Sequence, residues 1–89
     1  MSNTLLRLPA VKGQCGYSRS TIYLRMSQGL WTRPVSLGAR AVAWPAADVV
    51  ALNAARIAGK TDDQIRALVL KLEAARSTAD IRFAAPRQE

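Results

Sequence analysis

The sequence predicts a mainly α-helical fold with a small β-hairpin: a winged helix-turn-helix followed by an additional C-terminal helix and a flexible tail. Three observations predict it, namely two short helical segments joined by a glycine-containing turn, two period-two stretches flanking a glycine, and a longer amphipathic segment after residue 60. The 89 residues are enough for one small domain with a thin core, because a chain of this length buries only about 60–65% of its unfolded surface.

The first two helices are bounded by residues that favour helix ends. Pro9 suits the first turn of a short helix, which Gly16 should end. Ser18 is a favoured N-cap and Gly29 is favoured just after a helix, so a second helix is expected over 19–28. The short turn between the two helices has the spacing of a helix-turn-helix.

A β-hairpin is expected after the second helix. Pro34 disfavours helical structure at the residue before it, and the stretches 35–37 and 41–44 alternate with period two around Gly38. Such a hairpin beside a helix-turn-helix is a wing, with Arg40 at its tip. Arg40 would lie along DNA phosphates or enter the minor groove, and the plainer interpretation is an exposed turn arginine with no partner.

Two more helices are expected after the wing. The third begins at Pro45 and is closed by Gly59, and the capping box Thr61-Asp62-Asp63-Gln64 begins the fourth. We therefore divide the chain into a winged helix-turn-helix DNA-binding domain over 1–59, a C-terminal helix over 60–78 that packs on this domain or on a neighbouring subunit, and a flexible basic tail over 79–89.

Apolar residues on the inward faces of these elements are the expected core. On the fourth helix they form a stripe at helical spacing, with Leu70 on the opposite side and exposed on a monomer. Trp31 and Trp44 are expected in the core under the wing rather than stacked on nucleic acid. The other core candidates are Leu5, Leu6, Leu8, Val11, Ile22, Met26, Val49, Leu52, Ile57, Ile65, Leu68, Val69 and Leu72.

The residue types exclude most catalytic and metal chemistry. Without histidine there is no Ser-His-Asp triad, histidine base or histidine-ligated metal, and the single Cys15 makes neither an intramolecular disulfide nor a cysteine-based zinc site. We expect no catalytic residue, metal or cofactor, and therefore no enzyme. No apolar run approaches the roughly 20 residues of a membrane span and no signal peptide is apparent, so we expect a cytoplasmic protein.

The positive charge is concentrated in the first half of the chain. Residues 1–45 carry six basic residues and no acid, whereas residues 46–89 carry seven basic residues and six acids. A half-domain without any carboxylate is suited to a polyanion. Because no strongly basic amphipathic helix with aromatic anchors is present, the charge predicts nucleic acid rather than a membrane surface.

Three blocks in this order carry a family resemblance: LLRLPAV, YSRSTIY and RPVSLGARAVAW, followed by a helix after Pro45. Together they resemble the AlpA family of phage and mobile-element regulators, and the wider excisionase and MerR-like winged-helix group, over about residues 5–52. One departure is the order Leu24-Arg25, since the family usually has the basic residue directly after the tyrosine. Arg25 is three residues from Ile22 and so lies nearer the core side.

The resemblance implies that the second helix enters the major groove and that the wing contacts the DNA backbone. It places Ser18, Arg19, Ser20, Thr21 and Tyr23 at the DNA, and Arg33, Ser36 and Arg40 on or near the wing; Lys12 and Arg25 complete the candidate DNA-binding set. Two of these residues have an equally simple structural interpretation. Ser18 is a helix cap, and Tyr23 is a packing residue against the wing.

The resemblance implies an excisionase, or recombination directionality factor, that loads cooperatively and bends DNA near an attachment site of a phage or mobile element. The alternatives are a transcription regulator of integrase or excision genes and a protein-interaction adaptor. The implied partners are double-stranded DNA, further copies of the chain in a head-to-tail array and a tyrosine-type integrase. The candidate oligomer contacts are Leu70, Ile81, Arg82 and Phe83.

Overall fold

The computed structural model describes the backbone of residues 4–84 and the side chains of residues 4–76. In chain order the elements are β1 (Leu5–Leu6), α1 (Leu8–Cys15), α2 (Arg19–Ser27), β2 (Val35–Ser36), β3 (Val42–Pro45), α3 (Ala46–Ile57) and α4 (Asp62–Ala84). This is the predicted mainly helical architecture with a small antiparallel sheet, compatible with a winged helix-turn-helix.

The turn between α1 and α2 is formed by the residues that the sequence predicts. Gly16 ends α1 in the left-handed conformation, with φ of 77°. Ser18 then caps α2, because its Oγ accepts the backbone N–H of Thr21 at 3.3 Å. Both ends of the turn are therefore fixed by local chemistry.

The end of α2 is a Schellman motif. The backbone N–H of Leu30 donates to the carbonyl of Arg25 at 2.8 Å, and that of Gly29 donates to the carbonyl of Met26 at 3.1 Å. Gly29 has φ of 76°, a conformation in which a side chain would be strained. The glycine thus turns the chain sharply from α2 toward the sheet.

The sheet contains one strand more than the sequence predicts. The hairpin of β2 and β3 is confirmed, with Val35 opposite Ala43 and Ser36 opposite Val42. The additional strand, β1, pairs antiparallel with the other edge of β3, placing Leu6 opposite Trp44. β3 is therefore the central strand of the order β1-β3-β2.

The core lies between the helices and β3 and contains most of the expected residues. Trp31 and Trp44 are buried, as predicted. Ile57 was expected in the core and is 86% exposed, because it lies about 140° around α3 from the buried Leu52. Leu5 is 44% exposed on the short edge strand. The buried cluster is Val11, Ile22, Leu30, Trp31, Trp44, Val49, Leu52, Ala55, Ile65 and Val69.

The fourth helix packs on the rest of the same chain through its apolar stripe. Ile65 and Val69 are buried, Leu68 and Leu72 pack beside them, and Leu70 is 70% exposed as expected. α4 extends to Ala84, beyond the predicted end at residue 78. The side chains of the candidate oligomer contacts Ile81, Arg82 and Phe83, and all of residues 85–89, lie outside the described part of the chain.

A buried ion pair joins α4 to the start of α3. A guanidinium nitrogen of Arg76 lies 2.6 Å from a carboxylate oxygen of Asp48, and the Asp48 side chain is only 8% exposed. The sequence predicts Asp48 merely as an acid that suits the helix dipole in the first turn. In the structure it also fixes the position of α4.

Two hydrogen bonds join α4 to the segment between α2 and the wing. Nε of Arg66 donates to the carbonyl of Gln28 at 2.9 Å, and the backbone N–H of Arg33 donates to the Glu73 carboxylate at 2.8 Å. Arg66 and Glu73 are seven residues apart and so lie on the same side of the helix. α4 therefore supports the entry to the wing.

We expect Thr61→Ala to lower the free energy of unfolding by about 1 kcal/mol. The predicted capping box is formed in both directions: Gln64 N–H donates to the Thr61 hydroxyl at 3.2 Å, and Thr61 N–H donates to the Gln64 side chain at 2.9 Å. Urea denaturation checks this prediction, with Thr61→Ser as the control that keeps the hydroxyl. Equal stability of the alanine variant and the wild type would contradict it.

Candidate nucleic-acid interface

The outward face of α2 carries polar and basic side chains. Arg19, Ser20 and Tyr23 are exposed and lie within about 100° of one another around the helix, whereas Ile22, about 60° from Arg19, is fully buried. The buried isoleucine fixes the rotation of the helix about its axis, because an apolar residue of this size is stabilised by burial. The sequence therefore presents a defined set of side chains on one side of α2.

Arg19 belongs to an ordered stack of three side chains. Its guanidinium carbon lies 5.3 Å from the centre of the Tyr23 ring. Tyr23 in turn meets the Trp44 ring edge to face, with centroids 6.3 Å apart and planes at 78°. We call these residues the Arg19 stack, and it connects the surface of α2 to the central strand of the sheet.

A second stack of the same residue types lies on the core side of α2. The guanidinium carbon of Arg25 is 4.6 Å from the centre of the Tyr17 ring, and Tyr17 meets Trp31 edge to face at 5.9 Å. Nε of Arg25 is buried and has no hydrogen-bond partner among the described residues. The structure thus places Arg25 against Tyr17, on a different side from Arg19, and its assignment to DNA stays a prediction.

Three hydroxyl groups cluster at the start of α2. The Ser18 hydroxyl donates to the hydroxyl of Thr21 at 3.0 Å and lies 3.3 Å from that of Ser20. Ser18 also accepts the Thr21 N–H, so its capping role is confirmed. Ser20 is exposed at the N-terminus of α2, where backbone N–H groups and the helix dipole favour an anion.

The wing presents a different chemistry from α2. The Ser36 hydroxyl donates to the carbonyl of Gly38 at 3.0 Å, so this predicted DNA-binding residue also stabilises the turn. Arg40 and Arg33 are exposed on the turn and at the start of the wing. Lys12 is exposed on α1, away in sequence from both groups.

The basic residues of the first half are not neutralised within the described chain. Among residues 4–76, the ion pairs are Arg66 with Asp63 and Arg76 with Asp48, and both lie in the second half. The exposed bases of the first half that make none of these pairs are Arg7, Lys12, Arg19, Arg33 and Arg40. Arg7 is not among the predicted site residues, although it lies in the LLRLPAV block that carries the family resemblance.

The acids all belong to the second half of the sequence, but in the folded chain one of them lies beside the first half. Asp62 and Asp63 are exposed in the first turn of α4, whereas Asp48 is buried. Glu73 comes to the start of the wing, where it accepts the backbone N–H of Arg33. One carboxylate therefore lies beside a region whose own sequence contains none.

Comparison with known protein families finds a match over the first part of the chain, which contains α2 and the wing. A family described as "Prophage CP4-57 regulatory protein (AlpA)" has a model that matches residues 4–52, more than half of the chain. The chain belongs to the AlpA family. The matched region of this AlpA-family protein runs from β1 into α3 and includes the Arg19 stack and the wing.

A relative in Enterobacteria phage P4 is described as "Uncharacterized protein ORF88". It is 49% identical to this AlpA-family protein over 55 residues, which cover 62% of each chain. The match thus spans less than two thirds of that relative's length. No solved structure matches the chain.

Two further observations concern the described residues. No group of three or more acidic or cysteine residues within the described part of this AlpA-family protein is arranged to hold a metal ion. Over the same residues, none of the helices has the length and apolar character needed to cross a membrane.

Proposed function

We propose that this AlpA-family protein is a phage or mobile-element regulator that binds double-stranded DNA, with α2 in the major groove and the wing against the backbone. The observation that carries the proposal is Arg19. It is exposed on the outward face of α2, stacked on Tyr23 and free of any carboxylate among the described residues. Arginine is the side chain that most often reads guanine in the major groove.

The wing supplies the second part of the proposed contact. Arg40 is exposed at the turn, which extends beyond the buried β3, and Arg33 is exposed where the chain enters the hairpin. Basic side chains at such positions reach phosphate oxygens, which set the orientation of the protein on the duplex but carry no sequence information. Sequence recognition is therefore assigned to α2 and positioning to the wing.

We expect the DNA affinity to fall steeply with salt. If all five unpaired exposed bases of the first half contact phosphates, the plot of log K against log salt has a slope of about −4.5. Fluorescence anisotropy with a labelled duplex at several salt concentrations measures this slope. A salt-independent affinity would overturn the nucleic-acid proposal, because phosphate contacts always release counterions.

Within this function we propose an excisionase, which loads in several copies beside an attachment site and bends the DNA for a tyrosine-type integrase. Family membership supports the proposal. Bending a site by the usual angles costs on the order of 1–6 kcal/mol, which several adjacent copies could offset together. The description of the family as a regulatory protein supports a second function, transcription regulation of integrase or excision genes.

A footprint on the element's own attachment and promoter regions separates these two functions. Protection of a row of repeats beside the attachment site, with stepwise filling at rising protein concentration, is expected for an excisionase. Protection confined to a promoter element supports the transcription regulator and contradicts the excisionase. Protection of neither region would contradict both, and activity that survives the loss of Arg19 and Arg40 would support an adaptor.

We expect truncation after Ser77 to remove cooperative loading while keeping the affinity for a single site. The truncated chain lacks Ile81, Arg82 and Phe83, the candidate oligomer contacts, and keeps Arg76 paired with Asp48. Footprints of the two chains over the same concentrations measure the difference. Unchanged cooperativity would contradict a contact made by these residues and leave the exposed Leu70 as the candidate, testable by Leu70→Ser.

A further inference from the structure

We propose that Tyr23 is a positioning residue that holds Arg19 in the orientation required to read DNA, by linking the surface of α2 to the core of the wing. This inference rests on the proposed DNA-binding function. It assigns to Tyr23 a role different from direct contact with DNA, and it makes sequence recognition depend on the sheet as well as on α2.

The stack begins at Trp44, a side chain held in place by burial and by a hydrogen bond. Trp44 is fully buried in the central strand, and its indole N–H donates to the carbonyl of Thr32 at 3.0 Å. Thr32 is itself buried. Because packing and a hydrogen bond both fix the indole, Trp44 is a rigid support for whatever lies against it.

Tyr23 transmits this rigidity to the surface. Its ring meets the Trp44 ring edge to face, the arrangement that aromatic pairs prefer. The residue is 38% exposed, so a substantial part of the ring is still accessible beside Arg19. Tyr23 has only two side-chain torsions, so contact with a buried ring limits the positions that its own ring can take.

Arg19 is the residue whose freedom this arrangement limits. A guanidinium over an aromatic face is attracted to it, while the N–H groups at the guanidinium edge stay available as donors. Arginine reads guanine with two such parallel hydrogen bonds, which require a defined orientation. A pre-oriented arginine loses less conformational freedom on binding, and the gain is larger for a specific site than for random DNA.

The stack of Arg25, Tyr17 and Trp31, which we call the Arg25 stack, provides an internal comparison. It contains the same three residue types, yet Arg25 is half-buried with a buried Nε, so that stack belongs to the packing of α2. Loss of the Tyr17 ring should therefore lower stability, whereas loss of the Tyr23 ring should lower recognition. The two tyrosines form a matched pair of positions for an experiment.

The test is a double-mutant cycle on Arg19 and Tyr23. Affinities of the full chain are measured for the duplex protected in the footprint and for a scrambled duplex of equal length and composition. We expect Tyr23→Leu to lower the ratio of the two affinities about tenfold and Tyr23→Phe to lower it less than about twofold, because phenylalanine keeps the stacking ring. In an Arg19→Ala background, Tyr23→Leu should cause no further loss beyond about twofold.

The controls separate positioning from simple packing. Tyr17→Leu should lower the urea midpoint and leave the affinity ratio of the folded protein unchanged. Equal losses for Tyr23→Phe and Tyr23→Leu would overturn the proposal in favour of a hydroxyl contact. Additive losses in the double variant, or equal losses on both duplexes, would overturn it as well. If the wild type binds neither duplex, or Arg19→Ala binds like the wild type, the proposed function fails instead.

Discussion

Arg19→Ala is expected to weaken binding to the specific site by about 1–3 kcal/mol, or roughly 5- to 150-fold. The substitution removes the one arginine that is both exposed on the outward face of α2 and held over an aromatic ring. Affinity for random DNA should fall much less, since only one of several phosphate-binding charges is lost. Anisotropy titrations with specific and scrambled duplexes measure both affinities.

A matched control is available on the other half of the chain. Arg56 is also an exposed helical arginine, but it lies in the last turn of α3, within the half that carries the acids. Arg56→Ala should leave specific binding within about twofold of the wild type, because a long-range charge is largely screened at physiological salt. Equal effects of the two substitutions would contradict the assignment of α2 as the recognition helix.

Arg76→Ala is expected to lower the free energy of unfolding by about 3 kcal/mol. Removing one partner of a buried ion pair leaves the other charge buried and uncompensated, which costs about 3–5 kcal/mol. Arg76 is 25% exposed in its side chain, so the cost should lie at the lower end of this range. Urea denaturation followed by circular dichroism measures it.

Two further variants decide whether the orphaned Asp48 carboxylate causes the loss. Asp48→Ala combined with Arg76→Ala should be no less stable than Arg76→Ala alone, because the unpaired charge is then absent. Arg56→Ala, which removes an exposed arginine, should stay within about 0.5 kcal/mol of the wild type. A loss below about 1 kcal/mol for Arg76→Ala would contradict the energetic importance of the pair.

Helix ends and the wing could be predicted because their signals are local. The Ser18 cap, the left-handed Gly29 and the reciprocal bonds of Thr61 and Gln64 each involve residues within a few positions of one another. The burial of Ile22 on one side of α2 follows from helical spacing alone. The same spacing places Arg19 and Arg25 at equal angles from Ile22, so the exposure of Arg19 came from the structure.

The predictions were wrong or incomplete where strand pairing, burial or a side-chain contact depended on segments that are distant along the chain. Two leucines carry no period-two pattern, so the pairing of β1 with β3 could not be predicted from them. Ile57 is apolar and so was expected in the core. Its exposure depends on which face of α3 the rest of the chain covers. Spacing placed Arg25 nearer the core, but the ring contacts of Tyr23 with Trp44 and of Tyr17 with Trp31 join distant segments and could not be predicted.

By itself the sequence determined the helices, the hairpin, the acid-free first half and the family. Each of these depends on residues that are close together along the chain, or on counts of residue types. Only the tertiary structure decided that Arg76 pairs with Asp48, that Glu73 approaches Arg33, and that Tyr23 joins Arg19 to Trp44. These contacts bring together residues 21 to 40 positions apart, except for the local step from Arg19 to Tyr23. Such contacts depend on how the folded elements are placed against one another, which side-chain chemistry along one segment does not specify.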